Sequence, residues 1–236
     1  MATRQIFFTI SDVTGAATGS YTLVDGDGTV IFSNIDYRLL NGVTYSVIAT
    51  QSVFRLTNNP SAASIEYATW DPTEAGAAIA LSEGDLREDG IDGGYGMVRS
   101  TIGKSSGRWY WEATIINKIH VYIGIATATA SLNLSLGWDP SGWGWGRFST
   151  LFNNALDIPY GVDFNDGDVI GMALNMDAGN FTFYLNGSTQ GVAVTGLTGT
   201  IYAGAGTFGL TGSSIANFGA STFAQTVPDG YNGGLY

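Results

Sequence analysis

Five residues within positions 129–162 have the types needed to hold a ligand: Trp138, Asp139, Arg147, Asn153 and Tyr160. The aromatic rings offer stacking surfaces, and Asp, Asn and Arg supply hydrogen bonds. That combination suits a sugar or a peptide, and long loops in compact domains often carry such sites. Trp143 and Trp145 lie in the same stretch. Being two apart, they share one face of a strand and are expected in the core. No residue set suits catalysis. His120, the only histidine, falls between two strand patterns without a nucleophile or shaped carboxylate beside it. Glu83, Asp85, Glu88, Asp89 and Asp92 form an acidic run interrupted by glycines. Its spacing is not that of a calcium loop, so a solvated loop is expected, and Asp25 and Asp27 read as a plain tight turn. Two carboxylates facing one cleft, as glycoside hydrolysis requires, are not indicated by any spacing here. No metal and no cofactor are expected.

The elements that must position these side chains are strands. Trp109 to Thr114 and Val121 to Ile125 alternate at period two, which places Trp111, Val121, Ile123 and Ile125 in a core between sheets. Residues 168–186 form the cleanest hairpin. Ile170, Met172 and Leu174 alternate against Val169, Gly171 and Ala173, the chain turns at 177–180, and Phe181, Phe183 and Leu185 return on one face. Gly171 in mid-strand implies a bulky aromatic packed across from it. Residues 65–70 read as a strand stopped by Asp71 and Pro72, with Ala78 to Leu81 as the next. Further strands are expected at 190–194, 200–203 and 214–218. Residues 1–56 read as a small β unit: a loose alternation around Ile6, Phe8 and Ile10, a hairpin across 21–32, a turn at Asn41-Gly42 and a strand at 43–50. Residues 51–64 read as a polar crossover, with a boundary near residue 57. The fold class is therefore all-β: an antiparallel β-sandwich over 57–236 preceded by a small N-terminal β unit over 1–56.

Composition narrows the partners. With 20 acidic against 9 basic residues, the formal net charge of −11 repels phosphate backbones, so nucleic acid is not an expected partner. The absence of cysteine excludes disulfides and thiolate metal sites, and a single histidine excludes a histidine-rich one. No apolar run is long enough for a membrane helix, and no signal peptide is visible. Charged residues make up only 12% of the chain while glycines number 34, so Ser, Thr, Asn and Gly must cover much of the surface. That fits a component of an extracellular or virion-type particle.

From Ile65 onward the chain resembles the SPRY (B30.2-like) family. The resemblance rests on ordered segments: Val98-Arg99-Ser100, GRWYWEATI at 107–115, YIGIATA at 122–128, LGWDPSGWGW at 136–145, the run 160–187, IYAG at 201–204 and NFG at 217–219. It implies a bent sandwich of two antiparallel sheets that binds peptides or protein surfaces through loops at one edge, without catalysis. The Gly-, Ser- and Asn-rich character is similar to SPRY copies in bacteriophage structural and tail proteins. The resemblance thus implies a non-enzymatic virion protein of capsid or tail, assembled in the host cytoplasm. Its N-terminal unit would dock to the particle, and its larger domain would act as fibre, decoration or adhesin. The alternative is a purely structural cementing protein with no host ligand. The expected partners are other virion proteins and a host surface protein or glycan, with the chain acting as a homo-oligomer that does not insert into membranes.

Overall fold

The computed structural model describes residues 4–9, 20–25, 30–36, 44–49, 54–59, 65–91, 93–146 and 148–236. The chain divides into two units, Met1–Glu66 and Tyr67–Tyr236. Among the described residues every regular element is a β-strand.

In the first unit, β1 (Arg4–Thr9) pairs antiparallel with β4 (Thr44–Ala49). β2 (Ser20–Asp25) lies between β3 (Val30–Asp36) and β5 (Phe54–Asn59), antiparallel to both. The hairpin expected across 21–32 is present. β5 occupies part of the expected crossover, because Phe54 and Leu56 alternate with Arg55 and Thr57 at strand period. The turns at Asp27 and Asn41-Gly42 lie outside the described residues.

The second unit contains β6 (Trp70–Ala75), β7 (Ile79–Ser82), β8 (Arg87–Gly90), β9 (Tyr95–Lys104), β10 (Arg108–Asn117), β11 (Val121–Thr127), β12 (Gly142–Gly146), β13 (Thr150–Asn153), β14 (Leu156–Pro159) and β15 (Val169–Asn175). It continues with β16 (Asn180–Leu185), β17 (Ser188–Thr195), β18 (Ile201–Phe208), β19 (Ser213–Asn217) and β20 (Asn232–Gly233). One sheet has the order β17-β16-β15-β10-β19-β8-β7, with β20 added parallel to β10. The other has the order β14-β13-β12-β11-β18-β9-β6. Apart from β20, all neighbours are antiparallel, and the two sheets form the expected sandwich.

The core is what the alternation predicts. Trp111, Ile115, Ile170, Met172, Phe181 and Phe183 come from one sheet, and Val121, Ile123, Ile125 and Trp145 from the other. Trp145 meets Phe183 across the sheets at 5.2 Å between ring centroids, and Trp111 stacks on Phe181 at 5.9 Å. Such ring pairs contribute beyond the area they bury. Trp143 packs against the same core from a partly buried position.

On the outer face of β10, Tyr110 and Glu112 are also buried. Glu112 accepts hydrogen bonds from the Tyr110 hydroxyl at 3.0 Å and from the Ala224 and Gln225 amides at 2.8 and 2.9 Å, which fastens the C-terminal segment over the sheet. Gly171 lies beneath the Tyr110 ring; a Cβ there would come 2.5 Å from the Tyr110 hydroxyl. This is the aromatic neighbour its mid-strand position implied.

Two expectations need correction. The strand begins at Trp70 and runs through Asp71 and Pro72, with an irregular register against β9. β6 is an edge strand, where a missing ladder donor is tolerated. The acidic run is not wholly solvated either: Arg87–Gly90 is a strand, and Glu88 points into the interior with no exposed surface.

Candidate functional site

The stretch after β11 does not wander over the surface. Residues 130–137 lie on the outer face of β11, β18 and β9, where Leu136, Ala130, Met97 and Ala126 form a second small core. Glycines make room for it: a Cβ on Gly206 would come 2.8 Å from the Leu136 nitrogen. Arg99, also on this face, donates to the Ala130 carbonyl at 2.8 Å and pairs with Glu74. A buried guanidinium placed between a carboxylate and a carbonyl holds the loop at a fixed height above the sheet.

The five residues singled out in the sequence divide by what their side chains do. Asp139 accepts from the Ser141 and Ser131 amides, each at 2.8 Å, so both its oxygens close the loop on itself. Asn153 donates to the Gly142 carbonyl at 2.7 Å, joining β13 to the start of β12. Tyr160 donates to the Gly191 carbonyl at 2.6 Å and packs edge-on to Trp145 at 5.8 Å; burial raises its hydroxyl pKa to about 12. Arg147 lies outside the described residues. Trp138, Asp139 and Asn153 belong to one neighbourhood, because the Asn154 amide donates to the Asp139 carbonyl at 3.3 Å. Tyr160 instead ties its segment to β17.

Trp138 remains 37% exposed. It stacks on Phe208 at 5.2 Å and 25°, and Phe208 meets Tyr95 edge-on at 4.9 Å. Tyr95 and Trp138 are 6.2 Å apart, and Phe152 supports Trp138 from below at 5.9 Å. His120 lies against Phe208 at 5.8 Å, and its Nδ1 donates to the Phe208 carbonyl at 2.7 Å. Ile91, Ile119 and Leu210, on the neighbouring segments, are exposed. The backbone joins the flanks: Gly93 donates to Gly209 at 3.1 Å, Gly209 to Gly94 at 2.8 Å, and the Asn117 side chain to Thr211 at 2.7 Å. Four chain segments thus meet here, with Tyr95, Trp138 and Phe208 in ring contact and exposed aliphatic residues on the joined segments.

Only Trp138 of this surface was singled out in the sequence. Tyr95 and Phe208 begin and end adjacent antiparallel strands and meet only through the register of β9 and β18. No local spacing announces that pairing.

The surface has no acid–base pair and no nucleophile. Among the described residues no three His, Cys, Asp or Glu side chains gather as metal ligands, and no helix is long and apolar enough to cross a membrane. The most perturbed carboxyl, Glu88, is held well above the usual range by desolvation and accepts a hydrogen bond from the Ser214 hydroxyl at 2.9 Å. It lies in the sandwich interior.

Comparison with known proteins bears on what such a surface does. A family model described as the SPRY domain matches residues 108–216. The chain is similar to Ran-binding protein 9 of Xenopus tropicalis, 33% identical over 176 residues, covering 68% of this chain and 32% of that protein. It is also similar to Ran-binding protein 10 of Danio rerio, 31% identical over 177 residues, covering 68% and 29%. It therefore spans about a third of the length of these curated relatives. Of the solved structures, the SPRY domain of human HERC1 aligns with a TM-score of 0.54 at 18% identity, over 62% of this chain and 96% of that one. The TRIM65 PSpry domain aligns at 0.52 and 20% identity, over 64% and 92%. At these identities the structures establish the fold alone.

The relatives overturn the expectation of a phage virion protein. They are frog and zebrafish Ran-binding proteins. The capsid or tail location, the cementing role, and the virion and host-glycan partners fall with it. Some of the glycines have a structural cause: those beneath Leu136 and Tyr110 leave no room for a Cβ within this sandwich.

Proposed function

From the premise that this chain carries a SPRY domain, we propose that it is a non-catalytic protein-binding module whose docking surface is the cluster of Tyr95, Trp138 and Phe208. The observation that carries this reading is the half-exposed ring stack itself, set on loops anchored by Arg99, Leu136 and Asp139. Rigid aromatic rings lose little entropy on contact and dominate binding energy in protein interfaces. The relatives are named for binding a protein, Ran, which supports a protein ligand. The reading keeps Trp138 as a contact and takes Asp139 and Asn153 as supports of its loop. Residues 1–56 are on this view a small β unit separate from the docking domain.

The test is a selection of displayed random peptides on the whole chain, repeated on Trp138→Ala and Tyr95→Ala. Both variants are first shown to melt within a few degrees of the parent. Peptides that bind the parent and lose both variants support the docking surface. Binders indifferent to both substitutions would place it elsewhere.

A further inference from the structure

The chemistry of the occupant can be narrowed beyond "a protein", on the reading that the Tyr95–Trp138–Phe208 surface is the docking site. Three rings crowd one surface, and aromatic faces carry negative electrostatic potential that attracts cations. The net field of the chain, which carries −11 as a whole, also attracts cations. The described cations of the domain are engaged within it. Arg87 pairs with Asp89, Arg99 with Glu74, Arg108 with Asp177, and Lys118 with Asp163. Lys104 sits over the Trp109 ring at 3.8 Å, so the fold already uses an aromatic face to hold a cation. No lysine or arginine of the described residues stacks on Tyr95, Trp138 or Phe208; Trp138 and His120 lie against Phe208, so the exposed ring surface left for a partner is that of Tyr95 and Trp138. Exposed Ile91, Ile119 and Leu210, on segments joined to the rings by backbone hydrogen bonds, favour apolar atoms in the same partner.

We infer that the docked segment presents an arginine or lysine next to an apolar side chain, with the cation over the exposed Trp138 and Tyr95 rings and the apolar group against exposed Ile91, Ile119 or Leu210. Acidic segments are repelled by the field of the domain, and purely apolar ones leave the ring faces without their best partner.

The experiment uses peptides selected on the full chain as probes, made synthetically with blocked termini. Each is compared with a copy in which arginine is replaced by citrulline, a neutral isostere, or lysine by norleucine. Affinity is read by titration at low and at high salt. The expected result is a loss of roughly three- to fivefold on neutralisation, the size of an exposed cation–π contact. That loss should disappear on Trp138→Ala and should persist, though smaller, at high salt. Peptides that depend on Trp138 yet bind equally well after neutralisation would overturn this inference and leave the docking surface standing. If no selected peptide depends on Trp138 or Tyr95, the docking surface and the inference fall together.

Discussion

Glu88 shows how much one side chain of this fold depends on its protonation state. It is fully buried with Ser214 as its hydrogen-bond partner, and desolvation holds its pKa well above the usual carboxyl value. At pH below about 4.3 the folded and unfolded chains both hold the proton. Above that the unfolded chain ionises while the folded one does not, so stability falls as pH rises until the folded value is passed. Glu88→Gln keeps the shape and removes the ionisation. Its thermal midpoint should gain on the parent progressively from pH 4 to pH 8, and parallel pH profiles would show that Glu88 is not buried neutral. Trp111 and Gly171 test the two faces of β10. Trp111→Ala should cost about 3–5 kcal/mol in denaturant unfolding, as expected for a fully buried ring. Gly171→Ala should cost about 1–3 kcal/mol, because the Tyr110 hydroxyl it would strike is held by Glu112. A neutral result there would mean the ring can move aside.

At the scale of elements, the segment 130–139 separates what the sequence shows from what it hides. Strand faces were legible because period two is written in adjacent residues: Trp111, Val121, Ile123, Ile125, Phe181 and Phe183 all turn inward as expected. The segment between β11 and β12 has no period, and its polar residues read as ligand contacts. Asp139 and Asn153 are instead spent on backbone groups of their own neighbourhood, a use that becomes visible only when the loop is seated on the sheet. Glu88 was misread for a similar reason. Its neighbours Arg87 and Asp89 are charged, yet only those two face outward and pair with one another, at 2.7 Å. The loop's seating gives its own prediction. Leu136→Ala should destabilise the domain by about 2–5 kcal/mol and raise amide exchange across 130–139 more than in β10. Uniform exchange throughout the sandwich would show that the loop is not a separately anchored element.

The described residues of the second unit present two groups of exposed apolar side chains, and one has the features of a docking site. The second lies around β14, where Leu156 and Ile158 are exposed near Val162 and Val192. There Pro159 interrupts the donors of an edge strand, a common guard against strand addition. The surface of Tyr95, Trp138 and Phe208 is ring-centred, braced from beneath by Phe152 and fixed by bonds between the backbones of three loops. Its four segments are far apart in sequence, which is why only one of its residues was foreseen. The most direct measurement is hydrogen exchange of the whole chain with and without a selected peptide. The account predicts added protection in residues 93–95, 136–139 and 208–212, with 156–162 and 191–193 unchanged. Protection confined to 156–162 and 191–193 would contradict it and move the docking site to the margin at β14.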